Sequence, residues 1–167
     1  MSEAVIGLGS NLGEKDSHLL QAVQALSRLP GVKITGISSI FASAPEDPPP
    51  GEPLEEYHNM AVKLETLISP MALLGACLGI EAAMGRVRTQ RGAARCIDLD
   101  LLLYEGVKSE SFELSLPHPR LLRRAFVLLP LKELYPSGRA PGIFFEPNLK
   151  ELDLSDIHRL EQRISME

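Results

Sequence analysis

Two aspartates, Asp98 and Asp100, interrupt an otherwise apolar run in the second half of the chain. In an extended strand, successive side chains point to opposite faces, so the two carboxylates would project side by side from one face. The other face is apolar and is expected to be core, with Ile97, Leu99, Leu101 and Leu103. Because buried charges are costly unless cations or hydrogen-bond donors compensate them, the aspartates require partners.

A short segment just upstream could supply those partners. Residues 85–95 contain no acidic residue and four arginines, Arg86, Arg88, Arg91 and Arg95. A divalent cation is the other possibility, because Mg²⁺ commonly binds one or two carboxylates together with substrate phosphates and water. Arginines beside such a cation would bind phosphate oxygens through their paired N–H groups. Asp-x-Asp is a short motif, so spacing alone also allows a solvated sheet face on which aspartates and arginines form salt bridges.

The composition is that of a single soluble globular domain spanning residues 1–167. The chain is 44% hydrophobic and 23% charged, with a formal net charge of -5 at pH 7. Its two cysteines, Cys77 and Cys96, argue against a disulfide scaffold and favour a reducing cytoplasm. We expect no signal peptide and no membrane span, because the N-terminus lacks a basic region and no long apolar run occurs. The acidic balance also disfavours a nucleic-acid partner.

The first predicted strand, residues 4–9, runs into a glycine-containing turn. The third glycine, Gly13, falls one place late for the dinucleotide-binding pattern, and the chain contains no Walker A sequence. Any nucleotide is therefore expected to bind without a Rossmann site or a P-loop.

The other elements follow from hydrophobic periodicity and turn residues. We predict, in order, a helix capped by Asp16 or Ser17 and ending at Pro30, a strand 32–41 with a bulge at Gly36, a proline-rich loop 42–56, a strand 57–64, a helix from Ser69-Pro70 to Gly85, the aspartate strand, a weak strand 112–116, a helix 126–134 and a final helix from Asp156. This order matches a ferredoxin-like βαββαβ plan of the α+β class, an antiparallel sheet covered by helices, with long mobile loops.

Further positions carry possible chemistry. Tyr57 and Asn59 share one face of their strand, where a ring and an amide could hold a flat polar ligand; a cross-strand pair on a partly solvated sheet is the alternative. Glu81 continues the apolar stripe of its helix and either faces the site or forms a surface ion pair with Arg86. His118, fixed between two prolines, could donate to a phosphate or could be a turn histidine without a role.

Together these pieces resemble one family, the 6-hydroxymethyl-7,8-dihydropterin pyrophosphokinases of folate biosynthesis. The resemblance rests on the order and spacing of Gly9-Ser10-Asn11-Leu12, Tyr57-x-Asn59, Gly85-Arg86-Val87-Arg88, Arg95-x-x-Asp98-Leu99-Asp100, Pro117-His118 and Arg124-x-Phe126. It implies transfer of a diphosphoryl group from ATP to the hydroxymethyl oxygen of the reduced pterin, with release of AMP. We expect a Mg²⁺-dependent enzyme that acts as a monomer.

The same resemblance implies roles for individual residues. Asp98 and Asp100 would hold two Mg²⁺ ions that bridge the ATP phosphates, and Arg86 and Arg95 would be catalytic. Asp100 is also a candidate acceptor for the proton of the hydroxymethyl group, the alternative being loss of that proton through water. The implied ATP-binding residues are Glu81, Arg86, Arg88, Arg95, Ser115, His118 and Arg124. The implied pterin-binding residues are Gly9, Ser43, Ala44, Tyr57, Asn59 and Phe126.

The chain departs from the family pattern in two loops. Gly92-Ala93-Ala94-Arg95 stands where the family usually has Trp-Gly-Pro-Arg, and the chain contains no tryptophan. A large aromatic cover over the pterin is therefore missing, and Gly92 makes the loop more flexible. We expect weaker or slower closure, or another residue over the ring. Ser43-Ala44 replaces the usual Thr-Pro of the second loop, which removes a source of rigidity.

Two other functions stay open at this point. One is a nucleotide-sugar or nucleotidyl transferase that uses the same Asp-x-Asp metal site, although no sugar- or base-specific site is evident. The other is a ferredoxin-like regulatory or binding module, in which Tyr57 and Asn59 hold an effector and the arginines are ion-paired.

Overall fold

The centre of the fold is an antiparallel sheet with helices on both faces. The computed structural model describes residues 1–45, 50–51, 55–86 and 95–166. In these ranges the elements are β1 (Ser2–Ser10), α1 (Lys15–Ser27), β2 (Val32–Ile37), β3 (Phe41–Ser43), β4 (Tyr57–Thr66), α2 (Pro70–Ala83), β5 (Asp98–Tyr104), β6 (Ser109–Glu110), β7 (Ser115–Leu116), a 3-10 turn (Leu121–Arg123), α3 (Ala125–Leu134), β8 (Arg139–Ala140), β9 (Ile143–Phe144), α4 (Glu146–Glu151) and β10 (Ile157–Arg159). Six of them, β1, α1, β2, β4, α2 and β5, follow the predicted βαββαβ order.

The main sheet has the strand order β10-β3-β4-β1-β5, with β2 also paired to β4. Its pairings are antiparallel throughout. Alternate residues of the central strand β1 serve different cores: Ala4, Ile6 and Leu8 pack with α1 and α2, whereas Val5 packs with α3 and α4. The predicted ferredoxin-like α+β fold is confirmed, and its helices cover both sides of the sheet.

A bulge in β5 changes the direction in which its last side chains point. Adjacent residues of β1 pair with Leu103 and Leu101, so Leu102 is an extra residue in β5. Beyond a bulge, the side chains of a strand exchange faces. The prediction that Leu103 shares the face of Ile97 is therefore wrong: Leu103 packs with α3 and α4, and Tyr104 packs in the core beneath α1 and α2.

The two long helices near the N-terminus begin in different ways. α1 starts at Lys15 without a side-chain cap. The predicted cap at Asp16 or Ser17 is wrong, because Asp16 lies inside the first turn, where the helix dipole favours a carboxylate, and 2.7 Å from His58 Nδ1 on β4. α2 begins as predicted, with Ser69 as a hydrogen-bonded N-cap.

The segment predicted as one strand, 32–41, contains parts of two strands, β2 and β3. A register shift against β4 confirms a bulge here, but Thr35 is the extra residue and the predicted Gly36 is paired with Lys63 directly after it. Ser38 interrupts the ladder just beyond it, because its hydroxyl accepts a hydrogen bond from the Ala61 N–H at 2.9 Å. β3 then occupies the first two positions of the predicted loop 42–56.

The C-terminal segment differs most from expectation. The helix predicted from Asp156 is wrong, because residues 157–159 form β10 and pair with β3. The outer edge of β3 would otherwise leave backbone N–H and C=O groups without partners. The helix predicted over 126–134 is present as α3, and α4 adds Leu149 to the core beside it. No helix in the described ranges is long and apolar enough to span a membrane.

The core beneath α1 and α2 leads to a test of stability. Leu64 on β4 is fully buried there, whereas Leu67 is 74% exposed just after the strand ends. Leu64→Ala should lower the free energy of unfolding by about 2–5 kcal/mol, because it leaves a cavity in a packed core. Leu67→Ala is the matched control and should stay within about 0.5 kcal/mol of the parent. Denaturant unfolding measures both, and equal effects would contradict the assigned core.

Candidate active site

An open cavity of about 290 Å³ lies on the sheet face that carries α3. Its walls come from β1, β3, β4, β5, the start of α3 and the turn before α3. The lining residues are Gly7, Leu8, Gly9, Ser43, Ala44, Tyr57, Asn59, Met60, Ala61, Arg95, Asp98, Asp100, Leu102, Arg120, Arg124, Phe126 and Val127. The cavity thus brings carboxylates, guanidinium groups and aromatic rings together.

Glycines of β1 form the floor of this cavity. Gly7 lies opposite Asp100 on β5, and Gly9 lies between Asp98 on β5 and Asn59 on β4. A Cβ atom at position 9 would stand 2.5 Å from Asn59 Oδ1, which is closer than van der Waals contact permits. Glycine at position 9 therefore leaves room for the Asn59 amide.

Two carboxylates are bridged at the edge of the sheet formed by β5. Glu81, near the end of α2, is only 2% exposed. Its Oε2 accepts hydrogen bonds from the Leu99 N–H at 2.8 Å and from Arg86 Nη1 at 2.6 Å. The same Arg86 nitrogen lies 2.5 Å from Asp98 Oδ1. The pair of Glu81 and Arg86 is therefore buried behind Asp98, and the alternative of a surface ion pair is wrong.

The two aspartates differ in their protonation. Burial favours the neutral form of Asp98, but Arg95 and Arg86 outweigh it and hold the pKa of Asp98 below its usual range. Arg95 Nη1 lies 3.3 Å from Asp98 Oδ2. Burial, together with the negative charges of Asp98 and Glu81, raises the pKa of Asp100 to about 7. Near neutral pH, Asp98 is therefore charged and Asp100 is partly protonated.

The aspartate pair fits a hard divalent cation such as Mg²⁺. Two carboxylates on one face form the donor set that Mg²⁺ uses with phosphates and water. Burial and the neighbouring charges of Asp98 and Glu81 both raise the pKa of Asp100, and a bound cation would offset these unfavourable effects on its ionised form. Within the described ranges, no group of three or more His, Cys, Asp or Glu side chains is placed to hold a metal ion.

Positive charge lines the cavity near these aspartates, on Arg95, Arg120 and Arg124. Nδ1 of His118 accepts a hydrogen bond from the Arg120 N–H at 3.3 Å, which leaves Nε2 as the N–H donor of the ring. Burial, followed by the positive charge of Arg124, lowers the pKa of His118. The imidazole is therefore a neutral donor beside a set of cations.

Aromatic and polar groups line another part of the cavity. Tyr57, Asn59 and Phe126 are among its lining residues, and β3 places Ser43 opposite Tyr57. Ser43 Oγ is buried and has no hydrogen-bond partner among the described residues. The Arg124 guanidinium lies 5.3 Å from the centre of the Phe126 ring. Rings and hydrogen-bonding groups in this arrangement can hold a flat polar ligand.

Most residues singled out from the sequence meet at this cavity. Those that line it are Gly9, Ser43, Ala44, Tyr57, Asn59, Arg95, Asp98, Asp100, Arg124 and Phe126. Ser115 and His118 are not among the described lining residues, and Ser115 Oγ donates to the Ser111 carbonyl at 3.0 Å in the β6–β7 hairpin. Arg88 and Gly92 lie outside the described residues, so the expectations about them stay predictions.

Sequence reasoning missed two lining residues for which a signal exists. Gly7 precedes Gly9 by two positions, so the period of two in β1 places both on the same face. Arg120 follows His118 closely in an arginine-rich turn, and this proximity is the signal for a third cation in the cavity.

Comparisons with known proteins agree with this picture. A model of the family described as 7,8-dihydro-6-hydroxymethylpterin-pyrophosphokinase matches residues 5–136. The 2-amino-4-hydroxy-6-hydroxymethyldihydropteridine pyrophosphokinase of Methylorubrum extorquens is 41% identical over 162 residues, covering 96% of this chain and 100% of the relative. The protein of the same name from Bacillus subtilis is 40% identical over 131 residues, covering 78% of this chain and 77% of the relative.

Solved structures show the same fold. The HPPK-DHPS protein of Plasmodium falciparum crystallised with pteroate aligns with a TM-score of 0.66 and 14% identity. The alignment covers 90% of this chain and 44% of that protein, so the chain spans less than half the length of its structural relative. At this identity, the likeness supports the fold alone.

The electrostatics of Asp100 lead to a test by pH. Folding raises the pKa of Asp100 from an ordinary 3.8 to about 7, so the folded protein binds the Asp100 proton more tightly than the unfolded chain does. The stability that this proton contributes is fully present below about pH 4 and is lost as the pH rises through 7. Asp100→Asn should therefore stabilise the protein at pH 8 in EDTA, by about 1–3 kcal/mol at roughly 1.4 kcal/mol per pKa unit. The difference should vanish near pH 4. Urea unfolding at both pH values checks this, with the exposed Asp156→Asn as control; an equal gain at both pH values would contradict it.

Proposed function

The chain belongs to the 7,8-dihydro-6-hydroxymethylpterin-pyrophosphokinase family, and we propose that it transfers diphosphate from ATP to the hydroxymethyl oxygen of 6-hydroxymethyl-7,8-dihydropterin in folate biosynthesis, releasing AMP. The observation that carries the proposal is a cavity that joins the Asp98 and Asp100 carboxylates, guanidinium groups and an aromatic and amide wall. It offers partners for a phosphate chain and for a flat heterocycle. Family membership favours this reaction over the nucleotidyl transferase and the binding module.

We assign the acceptor pterin to the aromatic and amide wall. Tyr57 and Phe126 contact the faces of the ring, and the Asn59 amide, which has both donors and an acceptor, pairs with its polar edge. The buried Ser43 hydroxyl, which has no partner among the described residues, supplies a further hydrogen bond. Gly9 and Ala44 leave the space that the ring needs.

We assign Mg²⁺ to Asp98 and Asp100, with two ions expected from the family pattern. When bound, the metal offsets the charge of the phosphate chain and polarises the bond that breaks. Arg86 anchors Asp98 to the buried Glu81, which fixes the direction of the Asp98 carboxylate. The Asp98 carboxylate is therefore oriented before any substrate arrives.

The cationic residues act on the phosphate chain of ATP. The hydroxymethyl oxygen attacks the β-phosphorus, the bond from this phosphorus to the oxygen that AMP retains breaks, and the β- and γ-phosphoryl groups move together. Arg95 and Arg124 line the cavity, and we assign them to stabilise the charge that shifts during this step. The neutral His118 can donate from Nε2 to a phosphate oxygen. We keep Arg88 and Ser115 as expected ATP contacts from the family pattern.

The proton of the hydroxymethyl group must leave during the attack. Asp100 is our candidate acceptor, because its carboxylate lines the cavity in which we place the hydroxymethyl group. Loss of the proton through water is the alternative.

We also propose that the enzyme acts as a cytoplasmic monomer. Cys77 and Cys96 are free thiols, which fits a reducing compartment.

The central test is the identity of the nucleotide product. Incubation with ATP, 6-hydroxymethyl-7,8-dihydropterin and Mg²⁺ should yield AMP and the pterin diphosphate, detected by chromatography. EDTA should abolish the reaction. Formation of ADP instead of AMP would rule the proposal out.

The carboxylate pair can be tested in the same assay. Asp98→Ala and Asp100→Ala should each lower kcat by about 10³-fold, because several kcal/mol of charge stabilisation would be lost. Circular dichroism should show that both variants remain folded. Asp156→Ala removes an exposed aspartate outside the cavity and should keep parental activity. Full activity of either cavity variant would exclude the assigned metal site.

The glycine floor makes a separate prediction for the pterin. In Gly9→Ala, the added methyl group displaces the Asn59 amide, so KM for the pterin should rise about 10- to 100-fold, as expected for the loss of a buried hydrogen bond. Gly7→Ala is the matched control, because its Cβ would meet the Leu102 side chain at 3.2 Å and not Asn59. Steady-state kinetics with saturating ATP measure both. An equal or larger effect at position 7 would contradict the role given to Gly9.

A further inference from the structure

A reciprocal pair of hydrogen bonds ties the turn after β1 to the chain just before β5. Asn11 Oδ1 accepts a hydrogen bond from the Arg95 N–H at 2.8 Å, across 84 positions of sequence. The Asn11 N–H in turn donates to the Arg95 carbonyl oxygen at 3.2 Å. Asn11 is polar and yet only 5% exposed. One residue thus satisfies both backbone groups of Arg95.

Arg95 depends on such a tie because it lies outside the sheet. β5 begins at Asp98, so the backbone of Arg95 is not part of the described β1–β5 ladder. Its side chain nevertheless lines the cavity and reaches within 3.3 Å of Asp98 Oδ2. A long arginine side chain loses much rotamer freedom when it is held in one place. The position of its guanidinium therefore depends on how firmly its backbone is fixed.

We infer that Asn11 is a positioning residue that fixes the backbone of Arg95 and thereby directs the Arg95 guanidinium to Asp98 and to the phosphate chain. The inference rests on the proposed function and deepens it. An aliphatic side chain at position 11 would leave the Arg95 N–H without its acceptor. Misplacement of a group in an active site by about 1 Å can cost about 100-fold in rate.

A purely structural role for Asn11 is the competing explanation, and the chain offers a matched control for it. Asp16 and His58 lie 2.7 Å apart and tie the first turn of α1 to β4, close to the same turn. Asp16→Ala removes the contact between Asp16 and His58 and leaves the hydrogen bonds of Arg95 in place. If Asn11 only stabilised the turn, its replacement would have the same consequences as Asp16→Ala.

The decisive experiment is a double-mutant cycle on AMP formation. Asn11→Leu should lower kcat about 10- to 100-fold, and Asp16→Ala should lower Tm while kcat changes less than about twofold. In an Arg95→Ala background, Asn11→Leu should change kcat by less than about twofold, because residues that act through one another are not additive. Equal losses in both backgrounds would overturn the inference. Should the leucine variant fail to fold, Asn11→Ala takes its place with the same expectations.

A second measurement does not need turnover. The Arg95 amide should be protected from hydrogen exchange in the parent, and Asn11→Leu should speed its exchange about tenfold or more, whereas Asp16→Ala should not. NMR on the intact chain resolves this single amide. Equally fast exchange in parent and Asn11→Leu proteins would overturn the inference. Normal protection with no AMP from the parent would contradict the proposed function and leave the tie itself supported.

Discussion

The structure depends on how it compensates negative charge beside β5. Buried carboxylates lose their hydration and repel one another, so Glu81, Asp98 and Asp100 can share a site only with positive or donor groups among them. Arg86 bridges Glu81 and Asp98, and the Leu99 N–H donates to Glu81. The Leu99 N–H can donate to Glu81 on α2 because β5 is the last strand in the order of the described sheet on this side. The edge position of β5 is therefore part of the charge compensation, in addition to being a feature of topology.

The sheet separates stability from binding. One face is covered by α1 and α2 over a continuous apolar core, which holds the strands in register. On the other face, the end of β1 that contains Val5 packs under α3 and α4, whereas the end that contains Gly7 and Gly9 is open to the cavity. The bulge at Leu102 lies between these two regions. A cavity can stay open over glycines because the opposite face supplies the packing.

The sequence predicted the features that depend only on residues close together in the chain. The period of two placed Asp98 and Asp100 on one face, and Ser69 marked the start of α2 through its capping hydrogen bond. The order and spacing of the motifs also indicated most of the residues that line the cavity. The predictions that were wrong depend on distant neighbours: Leu103 changes face because β5 bulges against β1, and the segment after Asp156 is a strand because β3 needs a partner. Neither segment carries a local signal of the strand it will meet.

The two arginines on Asp98 are held with different firmness, and this difference bears on chemistry. The Arg86 guanidinium is shared between Glu81 and Asp98, with one nitrogen at hydrogen-bond distance from both carboxylates. Arg95 Nη1 lies at a longer 3.3 Å from Asp98 Oδ2, and the Arg95 side chain lines the cavity, so this ion pair is the looser of the two and the one that faces the open space. The ion pair with Asp98 holds the Arg95 guanidinium at the wall of the cavity. A chain with a net charge of -5 can thus present a preorganised positive group to an anionic substrate without drawing on its overall charge.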